Sequence, residues 1–222
     1  MKPTHLVVVI GILVTAGCAR VLHTDFESAN GPWPNGALAG PPSGDSAQVS
    51  GEVLGLGSSV SLLSTSSASI ELITGGKPHN TQGYAIDFSG VKLTIEETPV
   101  IAIDALDASG QNACGLEISG GEFRLVSGDG ENVIGSYSSN ADEHRVFMRL
   151  NLGGGTCGVR IEQVAQGAGP GAPPTQPLIT AIAPLVTADF EELDRLRIRW
   201  EEADGAPATQ YFLGHVTISK DN

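Results

Sequence analysis

Six arginines carry most of the recognisable chemistry in this sequence. Arg145, Arg149 and Arg160 fall in HRVFMRLNLGGGTCGVRIEQ (144–163), and Arg195, Arg197 and Arg199 in RLRIRW (195–200), from only 12 Lys and Arg in the chain. A guanidinium is a planar fork matched to a carboxylate, sulfate or phosphate. If the three segments neighbour one another in one sheet, the six form a basic patch able to take an acidic glycan, a lipid head group or a protein partner. Cross-strand pairing with acids such as Glu122, Glu162 or Glu201 is the plainer use of the same side chains.

The carboxylates are numerous but scattered. Asp104, Asp107, Asp129 and Asp142 lie in or near turn-forming sequence, and Asp25 and Glu27 alternate in an early segment. Oxygen-rich loops of β-sandwiches can hold calcium, and a structural calcium ion using Asp25 and Glu27 is an open expectation; Asp-Gly and Asp-Ala-Ser-Gly also form turns unaided. Glu96 and Glu97 would point to opposite faces of a strand, and Glu191, Glu192 and Asp194 share a turn-like stretch. His23, His79, His144 and His215 have no ligand spacing. There is no H-E-x-x-H, no G-x-S-x-G and no P-loop, because Gly153-Gly154-Gly155 lacks the following Lys-Ser/Thr. The chemistry reads as binding and not catalysis. Aromatics make up only 5% of the chain; Trp33, Tyr137, Phe147 and Tyr211 are the candidates for stacking on a neutral sugar, with Trp33 better explained as a loop anchor between two prolines.

The elements that must position these residues are strands. In 144–152, Val146, Met148, Leu150 and Leu152 fall on one face and Arg145, Phe147, Arg149 and Asn151 on the other; Cys157, Val159 and Ile161 continue the apolar face after the glycine turn. A period of two predicts a sheet with one face buried. Further strands are predicted over 21–27, 47–54, 60–63, 69–74, 84–88, 91–96, 100–106, around Cys114, and over 122–126, 132–137, 195–200 and 211–219. The segment 178–186 is apolar and of uncertain type, and 189–193 fits a helical turn. AQGAGPGAPPTQP (165–177) predicts a long exposed loop. The count is twelve to fourteen strands and no long helix, hence an all-β, two-sheet antiparallel sandwich.

The 222 residues suit one domain with a single core, and Gly 29 with Pro 13 favours short strands and turns. A formal charge of −13 argues against nucleic acid, whose phosphates would be repelled.

Residues 1–17 place a cation at Lys2 before the apolar run 6–14, too short to span a bilayer, and read as a secretory signal outside the fold. The ending Thr15-Ala16-Gly17-Cys18 resembles the bacterial lipoprotein box, with Thr15 where leucine is usual. That resemblance implies acylation of Cys18, anchorage of the protein in the membrane through its N-terminal lipid and, since Ala19 follows, an outer membrane lipoprotein of the cell envelope, periplasmic or surface-facing. Residues 18–20 are then a short tether before a β-sandwich domain over 21–222, with a reach of about 10–14 Å. Lipid on Cys18 leaves Cys114 and Cys157 as a disulfide pair in an oxidising compartment, both on apolar strand faces and able to meet across strands or across sheets.

Asp25-Phe26-Glu27, the 144–163 hairpin, and 196–200 followed by a loop and 211–219 resemble the opening, a central hairpin and the closing strands of concanavalin A-like (laminin-G or glucanase-type) jelly rolls. The resemblance implies a jelly-roll sandwich and a non-catalytic binding or adhesion module, with a carbohydrate or a surface protein as partner. A structural envelope protein acting through protein contacts is the alternative. A glycan-cleaving enzyme is a third, although the E-x-D-x-x-E acids of the glucanases have no counterpart here. Leu213-Gly214-His215 stands where many members carry a calcium-binding aspartate.

Overall fold

The structure is a computed structural model, and it describes residues 19–25, 46–50, 54–56, 59–63, 68–74, 81–93, 100–137, 143–165, 173–174, 179–201, 210–213 and 215–221. Among these every regular element is a strand. The first eight strands are β1 (Ala19–Asp25), β2 (Ser46–Ser50), β3 (Leu54–Leu56), β4 (Ser59–Leu63), β5 (Ala68–Ile73), β6 (Gly83–Leu93), β7 (Val100–Leu106) and β8 (Asn112–Ser119). The remaining eight are β9 (Glu122–Ser127), β10 (Gly130–Ser136), β11 (Glu143–Asn151), β12 (Thr156–Val164), β13 (Ile179–Pro184), β14 (Arg195–Glu201), β15 (Gln210–Leu213) and β16 (His215–Asp221).

They assemble into two antiparallel sheets. One runs β13-β12-β11-β6; beyond β6 it continues as β16 and β1 at one end and as β15, β4 and β3 at the other. The second is seven-stranded in the order β10-β9-β8-β7-β14-β5-β2. The first and last strands therefore lie side by side, with Ala19 opposite Lys220.

The alternation read from the sequence is the reason these strands stack. Tyr84, Ile86 and Phe88 of β6 and Val146, Met148 and Leu150 of β11 turn inward from the first sheet. Ile103 and Ala105 of β7, Leu116 and Ile118 of β8, and Leu196 and Ile198 of β14 meet them from the second. Each large apolar side chain so buried stabilises the fold by about 1.5–3 kcal/mol. Cys114 on β8 and Cys157 on β12 form a disulfide with Cα atoms 6.2 Å apart. It joins the two sheets through the core, so the cysteines meet across sheets and not across neighbouring strands.

Several boundaries differ from the sequence reading. The predicted strands 84–88 and 91–96 are one continuous strand, β6, long enough to pair with β16 along one half and with β15 at its end. The predicted strand 47–54 is divided between β2 and β3, which belong to different sheets. The uncertain segment 178–186 supplies β13, and the β9–β10 loop shrinks to Gly128-Asp129 because Gly130, at φ +93°, pairs with Ser127. No helical turn forms over 189–193. The Asp194 amide, which a helical turn would aim back at the Phe190 carbonyl, instead donates to the Leu106 carbonyl at the end of β7 at 2.9 Å, and the carbonyls of Leu193 and Asp194 accept hydrogen bonds from Thr74. Phe190 and Leu193 enter the core from an extended segment. Most of the predicted loop 165–177 lies outside the described residues, as do Trp33 and Glu96–Glu97.

Candidate ligand-binding groove

The outer face of the first sheet is hollowed into a groove of about 600 Å³ across β16, β6, β11, β12 and β13. Register explains which side chains meet there. Thr217, Asp87, Phe147, Arg160 and Thr180 are successive cross-strand partners and form one row. Ser219, Ala85, Arg149, Gly158 and Ile182 form the next. All ten belong to the lining. At ~4.8 Å between strands, each row spans about 19 Å. The floor is low because Ala85 and Gly158 are small; a Cβ at Gly158 would meet only the Ala181 carbonyl and Ile182 Cγ1, both at 3.5 Å.

Phe147 is the aromatic side chain of the lining, and the guanidinium of Arg160 lies 4.3 Å from its ring centroid. Arg160 also reaches Glu162 on its own strand, Nη2 to Oε1 at 3.3 Å. Arg149 is exposed one row away, between Ala85 and Gly158. Arg145 projects on the same face, opposite Glu162 in register and outside the groove. The chemistry assembled is an apolar floor with an aromatic ring, hydroxyls from Thr180, Thr217 and Ser219, one carboxylate, Asp87, and two guanidinium groups.

The six arginines do not form one patch. Arg145, Arg149 and Arg160 stand on the outer face of the first sheet, while Arg195, Arg197 and Arg199 project from β14 on the outer face of the second, with the whole core between them. Alternation fixed which way each side chain points, but the sheet to which β14 belongs was decided by its pairing with β5 and β7. There the arginines meet acids. Arg197 Nε donates to Glu71 at 3.1 Å, Arg195 pairs with Glu71 at 3.5 Å and with Asp194 at 3.0 Å, and Arg199 Nε donates to Asp104 at 3.0 Å. On the same face Arg124 reaches Glu117, Glu122 and Glu131. That face is a lattice of compensated charge.

The acids considered for calcium are also dispersed. Asp104 is a strand residue bound by Arg199 and by the Asn112 side-chain amide, not a turn residue. Asp107 folds its own turn, its Oδ1 accepting from the Ser109 amide and hydroxyl and from the Gln111 amide at 2.7–2.8 Å. Burial pushes its carboxyl upward, but these hydrogen bonds and the Gly110 amide outweigh it and hold the group below the usual carboxylate range. Asp25 ends β1 opposite His215 in register; Glu27 and Asp142 lie outside the described residues. Among the described residues no three His, Cys, Asp or Glu side chains gather as a metal site. Of the stacking candidates, Phe147 lines the groove, whereas Tyr137 packs between the sheets beside Phe123 and His144, with ring centroids 4.9 and 6.0 Å away.

Phe147, Arg149 and Arg160 were thus identifiable from the sequence as outward residues of a hairpin. Asp87, Thr180, Thr217 and Ser219 were not. They carry no motif, and only the pairing of strands far apart in sequence brings them to Phe147.

No family profile matches the sequence, and no curated protein matches it. Solved structures share its architecture. A sialidase is 14% identical with a TM-score of 0.58 over 91% of this chain, which spans 18% of that protein's length. Lectin I from Ulex europaeus, in complex with the methyl glycoside of α-L-fucose, is 10% identical with a TM-score of 0.55, over 89% of this chain and 97% of the lectin. The catalytic domain of a GH131 β-glucanase from Podospora anserina is 15% identical with a TM-score of 0.51, over 86% of both chains. At these identities the likeness is one of fold: a lectin-like, concanavalin A-like jelly-roll sandwich.

Proposed function

We propose that this domain is a non-catalytic carbohydrate-binding module whose ligand lies in the groove over β11 and β12. The observation that carries the reading is the groove's make-up. An apolar floor with a few convergent polar groups suits a sugar, which offers apolar C–H faces ringed by hydroxyls. The lectin among the structural neighbours, named for its complex with a fucose glycoside, supports the same reading. The sialidase and glucanase neighbours keep hydrolysis in view. Glycoside hydrolysis uses two carboxyl groups flanking the bond, and the described lining contains one, Asp87.

A glycan array probed with the folded domain tests this. Binding to at least one glycan class is expected, and Gly158→Phe, which builds a ring into the groove from a position with space for a Cβ, should abolish it. An array without binding, or binding indifferent to Gly158→Phe, would overturn the reading.

In the same reading the module is held at the cell envelope by lipid on Cys18. What supports this is the lipoprotein-box sequence and the start of β1 at Ala19, the residue after Cys18. The acylated form would sit against its membrane almost without a tether. Partition of the expressed protein into the detergent phase, lost in Cys18→Ser, is expected; a wild-type protein that stays in the aqueous phase would remove the anchor.

A further inference from the structure

We infer that β13 is the edge along which a second copy of this chain adds to the first, joining the two outer-face grooves into one. The inference is independent of what the groove holds.

The hydrogen-bonding direction of β13 follows from one bond just beyond its end. The Leu185 amide donates to the Gly155 carbonyl at 3.0 Å, and these two residues continue the register that sets Pro184 opposite Thr156. In an antiparallel ladder, pairs that exchange hydrogen bonds alternate with pairs that do not. Ala183, Ala181 and Ile179 therefore turn their backbone groups to β12, and Pro184, Ile182 and Thr180 turn theirs away from it. Pro184 has no N–H to offer, and its carbonyl accepts from the Gly128 amide at 3.0 Å. The open part of the edge is Thr180–Ile182. Among the described residues β13 has no sheet neighbour besides β12.

Exposed edges are normally guarded by charge or by a bulge. β1 carries Arg20 and Asp25, with a break in register between Arg20 and Leu22. β10, which packs against β13 through Gly135 and Ile179, carries Glu131 and a break between Val133 and Gly135. β13 has neither device, and its register with β12 is unbroken over 179–184. The stretch LITAIAPLVT (178–187) holds no charged residue, in a chain of formal charge −13. Ile182, at 75% exposure, is the most exposed large apolar side chain among the described residues. A neutral edge tipped by an apolar side chain is where two such acidic molecules meet with least repulsion.

The edge also matches itself. A two-fold axis at Ala181 sets Thr180 opposite the partner's Ile182, and Ile182 opposite the partner's Thr180. Each outward amide then faces an outward carbonyl, and an isologous contact of this kind closes at two copies. The seam lies at the end of the groove, so the row Asp87–Phe147–Arg160–Thr180 runs on into the partner's Ile182 and the partner's Gly158. The five strands under each groove become ten, about 43 Å across at ~4.8 Å per strand. Each copy thus completes the other's groove at its open end.

Sedimentation velocity of the Cys18→Ser protein, free of lipid, reads the state in solution, and a monomer–dimer equilibrium is expected. Thr180→Pro removes an outward amide without touching a bond to β12, and Ile182→Lys sets two ammonium groups at the seam. Each should weaken dimerisation about tenfold or more, while Arg197→Gln on the far face leaves it intact. Thermal melts at concentrations where all variants are monomeric check that each is folded. Ala181→Cys, added to Cys18→Ser, tests the register. At the axis the two Cα atoms would stand about 4.5 Å apart, within disulfide reach, so mild oxidation should trap a covalent dimer. Ala183→Cys, set opposite the partner's Ile179, should not be trapped. A protein monomeric at every concentration, a dimer indifferent to Thr180→Pro and Ile182→Lys, or a dimer that Ala181→Cys fails to trap would overturn the inference. Cross-linking of Ala181→Cys to a different protein and not to itself would overturn it in favour of a foreign strand. None of these outcomes bears on whether the groove binds a glycan.

Discussion

The guanidinium of Arg160 sits 4.3 Å from the ring centroid of Phe147, its direct cross-strand partner on β11. The pair links the most regular hairpin of the chain to the floor of its groove. A double-mutant cycle of Phe147→Ala and Arg160→Ala in chemical denaturation should return a coupling of about 0.5–1 kcal/mol, the value for a partly exposed cation–π contact. A coupling indistinguishable from zero would show that the stacked arrangement contributes nothing to the folded state.

The Cys114–Cys157 bridge spans 43 residues of sequence and joins opposite sheets. On the chain-entropy account, closing a loop of that length stabilises by about 4 kcal/mol. Cys114→Ser/Cys157→Ser should therefore lower the guanidinium unfolding midpoint substantially, and the mass of the non-reduced wild type should show no free thiol at either position. Two alkylatable thiols in the native wild type would contradict the bridge.

Gly83 opens β6 where a Cβ would run into the carbonyl oxygen of Leu150. Backbone cannot yield as a flexible side chain can, so Gly83→Ala should cost about 1–3 kcal/mol by overpacking. The comparison is Gly158→Ala, where the new methyl group has ordinary 3.5 Å contacts; equal melting temperatures for the two variants would refute the distinction.

Burial of Tyr84 in the core beneath the groove pushes its phenol from the ordinary 10.0 up to about 12, with the charge of Glu192 acting in the same direction against a backbone hydrogen bond near Leu193. The folded state thus keeps the proton where the unfolded chain releases it. This contribution is complete below pH 10 and is lost as the pH rises from about 10 towards about 12. Unfolding measured across that window should show an alkaline loss of stability that is smaller in Tyr84→Phe. An identical slope in both proteins would assign the loss to other groups.

Arg197 and Glu71 form a partly exposed pair on the far sheet. Arg197→Gln should change stability by about 1 kcal/mol or less and leave glycan binding untouched. A marked loss of binding would return the β14 arginines to a ligand site.

Much of this was legible in the residues, because side-chain direction in a strand is a local property. Period-two alternation alone placed Phe147, Arg149 and Arg160 outward and Cys157 and Met148 inward, and turned Cys114 towards the same core. Glycine- and proline-bounded segments likewise announced an all-β chain. The helical reading of 189–193 failed because the Asp194 amide pairs with the Leu106 carbonyl, far earlier in the chain, while Phe190 and Leu193 are drawn into the core. No local pattern contains that contact.

The sequence by itself therefore determined the class of fold, the two faces of each strand and the inward pair of cysteines. Only the tertiary structure decided which strands are neighbours. That choice sent Arg195, Arg197 and Arg199 to one face of the sandwich and left Arg149 and Arg160 on the other. It also drew Asp87, Thr180 and Thr217 into one row with Phe147. The physical reason is that alternation is written into the backbone within a few residues. Strand order is instead set by hydrogen bonding and core packing between segments far apart in the chain, where any alternating strand presents the same kind of edge.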